Sequence, residues 1–417
     1  MRYPLNKLLA LLLLVSLCWG GSTLISAYEP LRPSPVKHLA DSGYAGSAAC
    51  FSCHRELVEN HRKTAHYLTS RPADSTSIKG NFTTGKNELN YNAFMKVVIE
   101  KQGDHYVQSS RINDQETQSA PFDIVIGSGR KGQTYLFWNN DQLFQLPVSY
   151  YTPGDSWVIS PSYPLSVPRY DRIIPGHCME CHSTNARMIP DGDKQQFVNN
   201  SIIYGVDCER CHGPGAKHVE FQLTNPSEKS ARFITGPAKL TRQRQLDACA
   251  LCHSGFRKEL RPPFSFRTGD TLEQFSTATY SEDTAAALDV HGNQYGLLTS
   301  SKCFRMSEMT CSSCHNVHKE EVNAPDLFSQ RCQGCHQQTV HKFEGLPAAV
   351  VDIKTNCISC HMPMLPSKNI FLVANDRDKS SPDFVRTHRV AIYPDQTRAY
   401  LDDQNHMKKK KRKKKLR

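Results

Sequence analysis

Apolar residues near the N-terminus form one continuous cluster. Arg2 and Lys7 precede an uncharged stretch, residues 8–27, whose centre at Leu8–Leu17 is almost entirely apolar. A basic segment followed by an apolar segment and small residues is the layout of a secretory signal peptide. We therefore predict a signal peptide over residues 1–27, followed by a proline-containing linker over 28–48. An uncleaved N-terminal anchor is the alternative, because about 20 uncharged residues are just long enough to cross a bilayer.

The apolar pattern between residues 70 and 165 is that of short strands. Residues 94–100 and 105–107 flank a Gln-Gly-Asp turn, which predicts a hairpin. Two further β-rich runs flank residues 127–132, whose glycines match G-x-G-x-x-G. A dinucleotide site of that pattern needs a helix directly after the glycines, and here a β-rich run follows. We interpret residues 127–132 as a hairpin loop within a small β-rich insert, residues 70–165.

One five-residue pattern, Cys-x-x-Cys-His, organises the remainder. It occurs once in a first segment, residues 49–69, and six times in residues 166–395, which show short helical segments joined by polar loops. The pattern contains fourteen of the sixteen cysteines, so that only Cys18 and Cys303 stand outside it. Its cysteines are Cys50, Cys53, Cys178, Cys181, Cys208, Cys211, Cys249, Cys252, Cys311, Cys314, Cys332, Cys335, Cys357 and Cys360. Its histidines are His54, His182, His212, His253, His315, His336 and His361.

This spacing is the attachment signature of haem c. Two thiols one helical turn apart reach the two vinyl groups on one porphyrin edge, and the next side chain, an imidazole, then lies beneath the iron as an axial ligand. Zinc knuckles and redox-active Cys-x-x-Cys pairs do not require a histidine directly after the second cysteine, yet all seven copies have one. The sequence therefore predicts seven covalently attached haems.

Eleven histidines outside the pattern supply candidates for the opposite axial position. His318 is the strongest, because it lies three residues after His315, where two imidazoles on one helical turn can serve different haems. The predicted distal ligands are His66, His218, His291, His318 and His388. His341, His61, His105 and His177 are weaker candidates, Met306, Met309, Met362 and Met364 are substitutes close to the motifs, and His38 and His406 are expected to be solvated.

The formal charge of +11 is concentrated at the C-terminus. Residues 408–417 hold nine of the basic side chains, so the rest of the chain carries only +2. Haem propionates lower this further, because a bound cofactor contributes its own charge. A nucleic-acid partner is therefore not expected. We predict residues 396–417 to be a disordered basic tail, and an anionic membrane surface or an acidic partner protein is its candidate target.

Three stretches resemble the multihaem c-type cytochromes. They are Cys208–Val219 with its Cys-His-Gly-Pro-Gly sequence, Cys311–His318, and the opening marked by Ser47, Cys50 and Cys53. The superfamily includes the tetrahaem electron acceptor of hydroxylamine oxidoreductase and related penta- and octahaem cytochromes. The resemblance covers roughly residues 40–66 and 170–395 and implies a mainly α, loop-rich fold wrapped on a haem array. It also implies that the last histidine of C-x-x-C-H-x-x-H ligates a second haem. No Cys-x-x-Cys-Lys motif is present, so the lysine-ligated catalytic haem of the pentahaem nitrite reductases is not implied.

Three functions agree with these features. The first is an electron carrier with bis-His haems, in the periplasm or at the outer face of the inner membrane, that exchanges electrons with redox partner proteins. The second is an oxidoreductase in which one open haem acts on a small nitrogen or sulfur oxyanion or a hydroxylamine-like substrate. The third is a haem subunit of a membrane complex that docks through the β-rich insert. The sequence favours the electron carrier and assigns no catalytic residue.

Overall fold

Strands contribute as much to this fold as helices. The structure is a computed structural model that describes residues 43–191, 194–198, 200–281, 283–338, 341, 355–375 and 380–415. It has 29% helix and 25% strand. The predicted signal peptide or anchor, and the linker as far as residue 42, lie outside the described residues. Within the part of the chain that is described, no helix is long and apolar enough to cross a membrane.

The α-helices are short except for the last. They are α1 Ser47–Phe51, α2 Arg55–His61, α3 Gly176–His182, α4 Cys208–His212, α5 Ala216–Thr224, α6 Arg242–His253, α7 Gln294–Thr299, α8 Lys302–Arg305, α9 Pro325–Gln333, α10 Cys357–His361 and α11 Pro394–Lys415. In the part of the chain that the structure describes, six 3₁₀ turns accompany them at Tyr67–Thr69, Thr152–Gly154, Pro237–Lys239, Leu272–Gln274, Ala285–Ala287 and Cys311–Ser313.

The strands form six antiparallel sheets among the described residues. They are β1 Ser70–Pro72, β2 Glu88–Asn90, β3 Met95–Gln102, β4 His105–Ile112, β5 Gln115–Pro121, β6 Ile124–Ile126, β7 Gly132–Asn139, β8 Gln142–Gln145, β9 Val148–Tyr151, β10 Ser156–Ile159, β11 Arg172–Ile173, β12 Ser183–Asn185, β13 Met188–Asp191, β14 Lys194–Phe197, β15 Ile203–Tyr204, β16 Arg257–Glu259, β17 Ser276–Ala278, β18 Met364–Leu372 and β19 Ser381–Arg386. A four-stranded sheet has the order β2-β3-β4-β5, and a seven-stranded sheet contains β1, β6, β7, β8 and β11, with β9 and β10 branching from β7. The pairs β12-β15, β13-β14, β16-β17 and β18-β19 complete the set.

The prediction of a mainly α fold is therefore wrong. The motif-bearing helices are short, from five residues in α1, α4 and α10 to twelve in α6, so the haem motifs add little helix. Strands also continue beyond the predicted insert, as β12 to β19. Hydrophobic alternation does not predict those strands because they are short and polar, as in Arg257–Glu259.

The long tail also differs from its prediction. Residues 394–415 form helix α11, where the sequence analysis expects a disordered segment. Lysine and arginine have high intrinsic helix propensity, and Pro394 begins the helix at the position where proline is best tolerated.

The β-hairpin predictions are confirmed. β3 and β4 pair from Met95 opposite Ile112 to Gln102 opposite His105. The glycine-rich loop joins β6 to β7, which pair in antiparallel register. Gly127 has a φ of 103°, and a Cβ atom there would lie 2.7 Å from the carbonyl oxygen of Gly132. These glycines therefore close a tight turn, as the hairpin interpretation requires.

The seven-stranded sheet has a core on each face. Along β7, Tyr135 and Phe137 belong to a cluster shared with the four-stranded sheet, whereas Leu136 belongs to a second cluster that contains Met179 of α3. Successive side chains of a strand point to opposite faces, so this alternation sets one face against β2–β5 and the other against a haem motif. The β-rich part of the chain is thus packed directly on the haem-binding part.

Two basic residues of the glycine-rich loop strengthen this contact. The Nη2 atom of Arg130 donates to the carbonyl oxygen of Lys63 at 2.7 Å and forms an ion pair with Glu320. The Nζ atom of Lys131 lies 2.7 Å from the carboxylate of Asp383, whose side chain is only 6% exposed. The loop therefore joins the sheet to segments next to the first and fifth Cys-x-x-Cys-His motifs and to β19.

We expect the variant Lys131→Met to lower the free energy of unfolding by about 1 kcal/mol, because the buried carboxylate of Asp383 would lose its cation. The loss is small because the Lys131 side chain is half exposed, and water already screens the pair. Urea-induced unfolding followed by circular dichroism measures this. The control is Lys101→Met, which removes an exposed lysine near Tyr106. Equal effects of the two substitutions would show that the Lys131–Asp383 pair does not hold the sheet in place.

Candidate haem-binding site

The seven motifs adopt the local geometry that haem attachment requires. Motifs two, three, four and seven lie within α3, α4, α6 and α10, while motifs one and six begin in α1 and α9, and motif five begins in a 3₁₀ turn. Where the helix ends early, the turn is still closed, since the amide of His54 donates to the carbonyl oxygen of Cys50 at 2.9 Å. The same bond joins His315 to Cys311 at 3.0 Å. Each of these turns brings its two thiols and its imidazole to one side of the chain.

The motifs meet around one cavity of about 3080 Å³. Pockets for drug-sized ligands are usually about 300–1,000 Å³, so this cavity has the size for several large cofactors. All seven motif histidines line it, as do the motif cysteines apart from Cys178. Cys303 lies outside the motifs and lines the cavity as well.

Four motif imidazoles face a second imidazole at nearly the same distance. The ring centres are 6.1 Å apart for His212 and His318, 6.2 Å for His315 and His388, 6.0 Å for His253 and His66, and 5.9 Å for His361 and His341. Two imidazole nitrogens bound at about 2 Å on opposite sides of one metal ion place their ring centres about 6 Å apart. The spacing therefore fits one iron between the members of each pair.

Hydrogen bonds at Nδ1 orient several of the motif imidazoles. The Nδ1 atom of His212 lies 2.8 Å from the carbonyl oxygen of Thr235, and that of His361 lies 2.9 Å from the carbonyl oxygen of Ala391. The Nδ1 atom of His182 lies 3.0 Å from the hydroxyl of Thr69. A proton on Nδ1 leaves the lone pair on Nε2, which is the usual arrangement of a metal-bound histidine.

Burial favours the neutral form of five of the eight paired imidazoles. It lowers the pKa of His66 and of His388 to about 4, with neighbouring histidines adding to the effect. It also lowers the pKa of His253, His315 and His318. Because only the neutral imidazole binds a metal, these rings are ready to coordinate iron at neutral pH.

The structure brings four of the five predicted distal histidines to the cavity. His66, His318 and His388 each face a motif imidazole, and His218 lines the wall with its Nδ1 atom 2.9 Å from the carbonyl oxygen of Arg232. His291 is exposed in its loop, outside the cavity lining.

Two histidines that ranked lower in the sequence analysis also line the cavity. His341, a weaker candidate in the sequence, faces His361. His61 lies between the carbonyl oxygens of Val206 and Val317, at 3.0 and 3.4 Å. His177 lies elsewhere, in an ion pair with Glu259.

A close backbone approach fixes the position of His66. The amide of Val206 donates to the carbonyl oxygen of His66 at 2.9 Å. Its neighbour Gly205 has a φ of 70°, and a Cβ atom there would lie 2.2 Å from the carbonyl oxygen of Tyr67. Only glycine lets the two segments pass this closely.

Sequence reasoning missed the structural role of Glu209, a variable residue of the third motif. Its buried carboxylate accepts hydrogen bonds from the amides of Ala45, Gly46 and Gly215 at 2.7 to 2.8 Å. Ala45 and Gly46 immediately precede α1, so Glu209 satisfies backbone donors at the start of the helix that contains Cys50. In the sequence, Glu209 is only an acidic residue between two motif cysteines, and that position does not indicate which amides its carboxylate contacts.

We expect Glu209→Gln to destabilise the protein by about 3 kcal/mol, because a charged acceptor of three buried amides is replaced by a neutral one and at least one amide loses its acceptor. Thermal and urea unfolding of the holoprotein measure the loss. Glu220→Gln, at an exposed position of α5, is the matched control. Unchanged stability of Glu209→Gln would contradict this role.

The arrangement as a whole is that of a scaffold for covalently bound haem. Residues 169–213, which include the second and third motifs, match the family model described as cytochrome c554 and c-prime. Multiheme cytochrome MtrA of Shewanella baltica (strain OS185) is 22% identical over 186 residues, which are 39% of this chain and 52% of that protein. The chain thus spans about half the length of the curated relative it matches. The crystal structure of the outer cell wall cytochrome OcwA superimposes with a TM-score of 0.49 and 15% identity, covering 86% of this chain and 81% of that chain.

The seven motifs and the sequence matches identify the chain as a multihaem c-type cytochrome. The motif residues and the cavity fit that cofactor, since the thiols stand one turn apart and the imidazole pairs have the spacing that one iron requires. When bound, haem supplies an iron that gains or loses one electron, and this chain would supply its attachment, its axial ligands and a partly buried environment.

Proposed function

We propose that this protein is a seven-haem electron carrier that works outside the cytoplasm through bis-His haems. The observation that carries the proposal is the set of four imidazole pairs with ring centres 5.9 to 6.2 Å apart. Six-coordinate iron with two imidazoles changes its redox state with little movement of its ligands, so this coordination suits electron transfer. The three remaining motifs have the same Cys-x-x-Cys-His pattern, and their histidines line the same cavity.

Export is part of the proposal. Its support is the apolar stretch after Arg2 and Lys7, which has the layout of a secretory leader, together with the attachment chemistry, which bacteria carry out outside the cytoplasm. Redox partner proteins follow from the function, since a carrier must receive its electrons from one protein and deliver them to another.

The experiment that tests this function combines haem content with electron paramagnetic resonance on the same ferric sample. We expect seven haems per chain, all low-spin. A high-spin signal of about one haem per chain that shifts on addition of nitrite, hydroxylamine or cyanide would instead favour an oxidoreductase with one open haem. Fewer than seven haems in a fully processed sample would overturn the proposed number.

The basic C-terminus gives a separate prediction about membrane attachment. Removal of residues 408–417 deletes nine positive charges, and each basic residue near an anionic surface contributes about 1 kcal/mol to binding. We expect the truncated protein to bind vesicles of phosphatidylserine and phosphatidylcholine at least about tenfold more weakly at low ionic strength. Vesicles of phosphatidylcholine alone are the control. Equal binding of both proteins to the anionic vesicles would exclude the tail as a membrane anchor.

A further inference from the structure

A buried ion pair joins two of the haem motifs through residues between their cysteines. Glu180 belongs to Cys178-Met179-Glu180-Cys181 and Arg210 to Cys208-Glu209-Arg210-Cys211. The Oε1 atom of Glu180 lies 3.5 Å from the Nη2 atom of Arg210, and their side chains are only 12% and 7% exposed. Full charges are rarely buried to this extent without a structural or functional reason.

The two charges face different haem motifs. The guanidinium of Arg210 contacts the thiol of Cys252 in the fourth motif and lies 5.9 Å from the ring centre of Phe264. The carboxylate of Glu180 is fixed by the amide of Phe264, which donates to it at 2.7 Å. The thiol of Cys181 lies 3.8 Å from the carbonyl oxygen of Leu251, the residue before Cys252, so three attachment sites meet beside this pair.

The hydrogen bonding between Glu180 and Arg210 is too weak for their burial to be explained by a contribution to the stability of the fold. The paired atoms are 3.5 Å apart, and Nη2 of Arg210 has no hydrogen-bond acceptor among the described residues. Removing two charges from water costs several kcal/mol per ion unless the geometry is good and the remaining donors are satisfied. A hydrophobic pair of similar volume would suit a purely structural role at least as well.

Charges in this position act directly on haem. Reduction lowers the charge of the iron centre by one, so a nearby cation stabilises the reduced form and a nearby anion the oxidised form. The effect is strong where burial excludes water and lowers the effective dielectric constant.

We propose that Glu180 and Arg210 set a difference in reduction potential between neighbouring haems. Arg210 raises the potentials of the haems attached at Cys208 and Cys211 and at Cys249 and Cys252. Glu180 lowers the potential of the haem attached at Cys178 and Cys181. Both residues act on the haems through their charge, and neither is an axial ligand. This inference rests on the proposed function, because it requires haem at these three motifs.

The test is a spectroelectrochemical titration of the holoprotein and its charge variants. In Arg210→Met we expect about two of the seven redox components to move to more negative potentials. In Glu180→Gln we expect about one component to move to more positive potentials. Arg210→Lys keeps the charge and should restore most of the wild-type titration curve. Arg62→Met, which removes an exposed cation above the ring of Phe51 in the first motif, should change the curve less than either buried variant.

Haem content and the low-spin spectrum are measured on each variant, which separates folding defects from electrostatic effects. If Arg210→Met does not fold, the nearly isosteric Glu180→Gln still tests the sign, and a shift to more negative potentials in that variant overturns the proposal. Shifts of the same sign in Arg210→Met and Glu180→Gln, or unchanged potentials in both, overturn the proposal. Wild-type protein without haem at these motifs would overturn the proposed function itself, which is a different result.

Discussion

Replacement of both cysteines of the fourth motif, Cys249→Ala with Cys252→Ala, should lower the haem content by one per chain. A thioether bond needs a thiol, and the last turn of α6 brings Cys249, Cys252 and His253 to the cavity together. Without its two thiols, the motif retains only an imidazole, which does not hold haem through purification and denaturation. The intact mass of the protein and the pyridine haemochrome absorbance both measure the change.

The matched control for this experiment is Cys303→Ala. Cys303 lines the same cavity and is partly buried, but it lies outside every motif. We expect that variant to keep the wild-type haem content. Loss of one haem in both variants would mean that Cys303 takes part in attachment, and no loss in the double variant would refute covalent attachment at the fourth motif.

The sequence predicted the part of the site that is set by local chemistry. The spacing of two thiols and an imidazole within five residues predicts one helical turn, and four of the seven motifs lie within an α-helix while the other three begin in an α-helix or a 3₁₀ turn. The hairpin of β3 and β4 was predicted for the same reason, since alternation and a turn are local signals. His318 was identified from its three-residue separation from His315, and it lies in the cavity as expected.

The pairing of residues distant along the chain could not be predicted in this way. His66 faces His253, although 186 residues lie between them, because Gly205 and Val206 place the segment of His66 against the wall of the cavity. His291 appeared equally suitable in sequence, and the structure leaves it exposed. The fold class was misjudged for a related reason, since polar hairpins such as β16-β17 carry no apolar alternation and depend on contacts made elsewhere.

Loss of the imidazole of His318 should convert one haem from low-spin to high-spin. His318 and His212 have ring centres 6.1 Å apart and planes inclined by 21°, so we expect His318→Ala to leave the iron of the third motif without its distal ligand. The ferric protein should gain a high-spin resonance of about one haem per chain, and the ferrous protein should bind carbon monoxide at a single new site. His388→Ala should do the same at the fifth motif, where His315 is the partner.

A second substitution at the same position distinguishes ligation from packing. Methionine is an axial ligand that raises the reduction potential of haem relative to histidine. His318→Met should therefore remain low-spin while one redox component moves to a more positive potential. His177→Ala, which removes a histidine paired with Glu259 away from the cavity, should change neither property. If His318→Ala shows no high-spin signal and no carbon monoxide binding, His318 is not the distal ligand, and the spacing of the imidazole pair must then reflect packing alone.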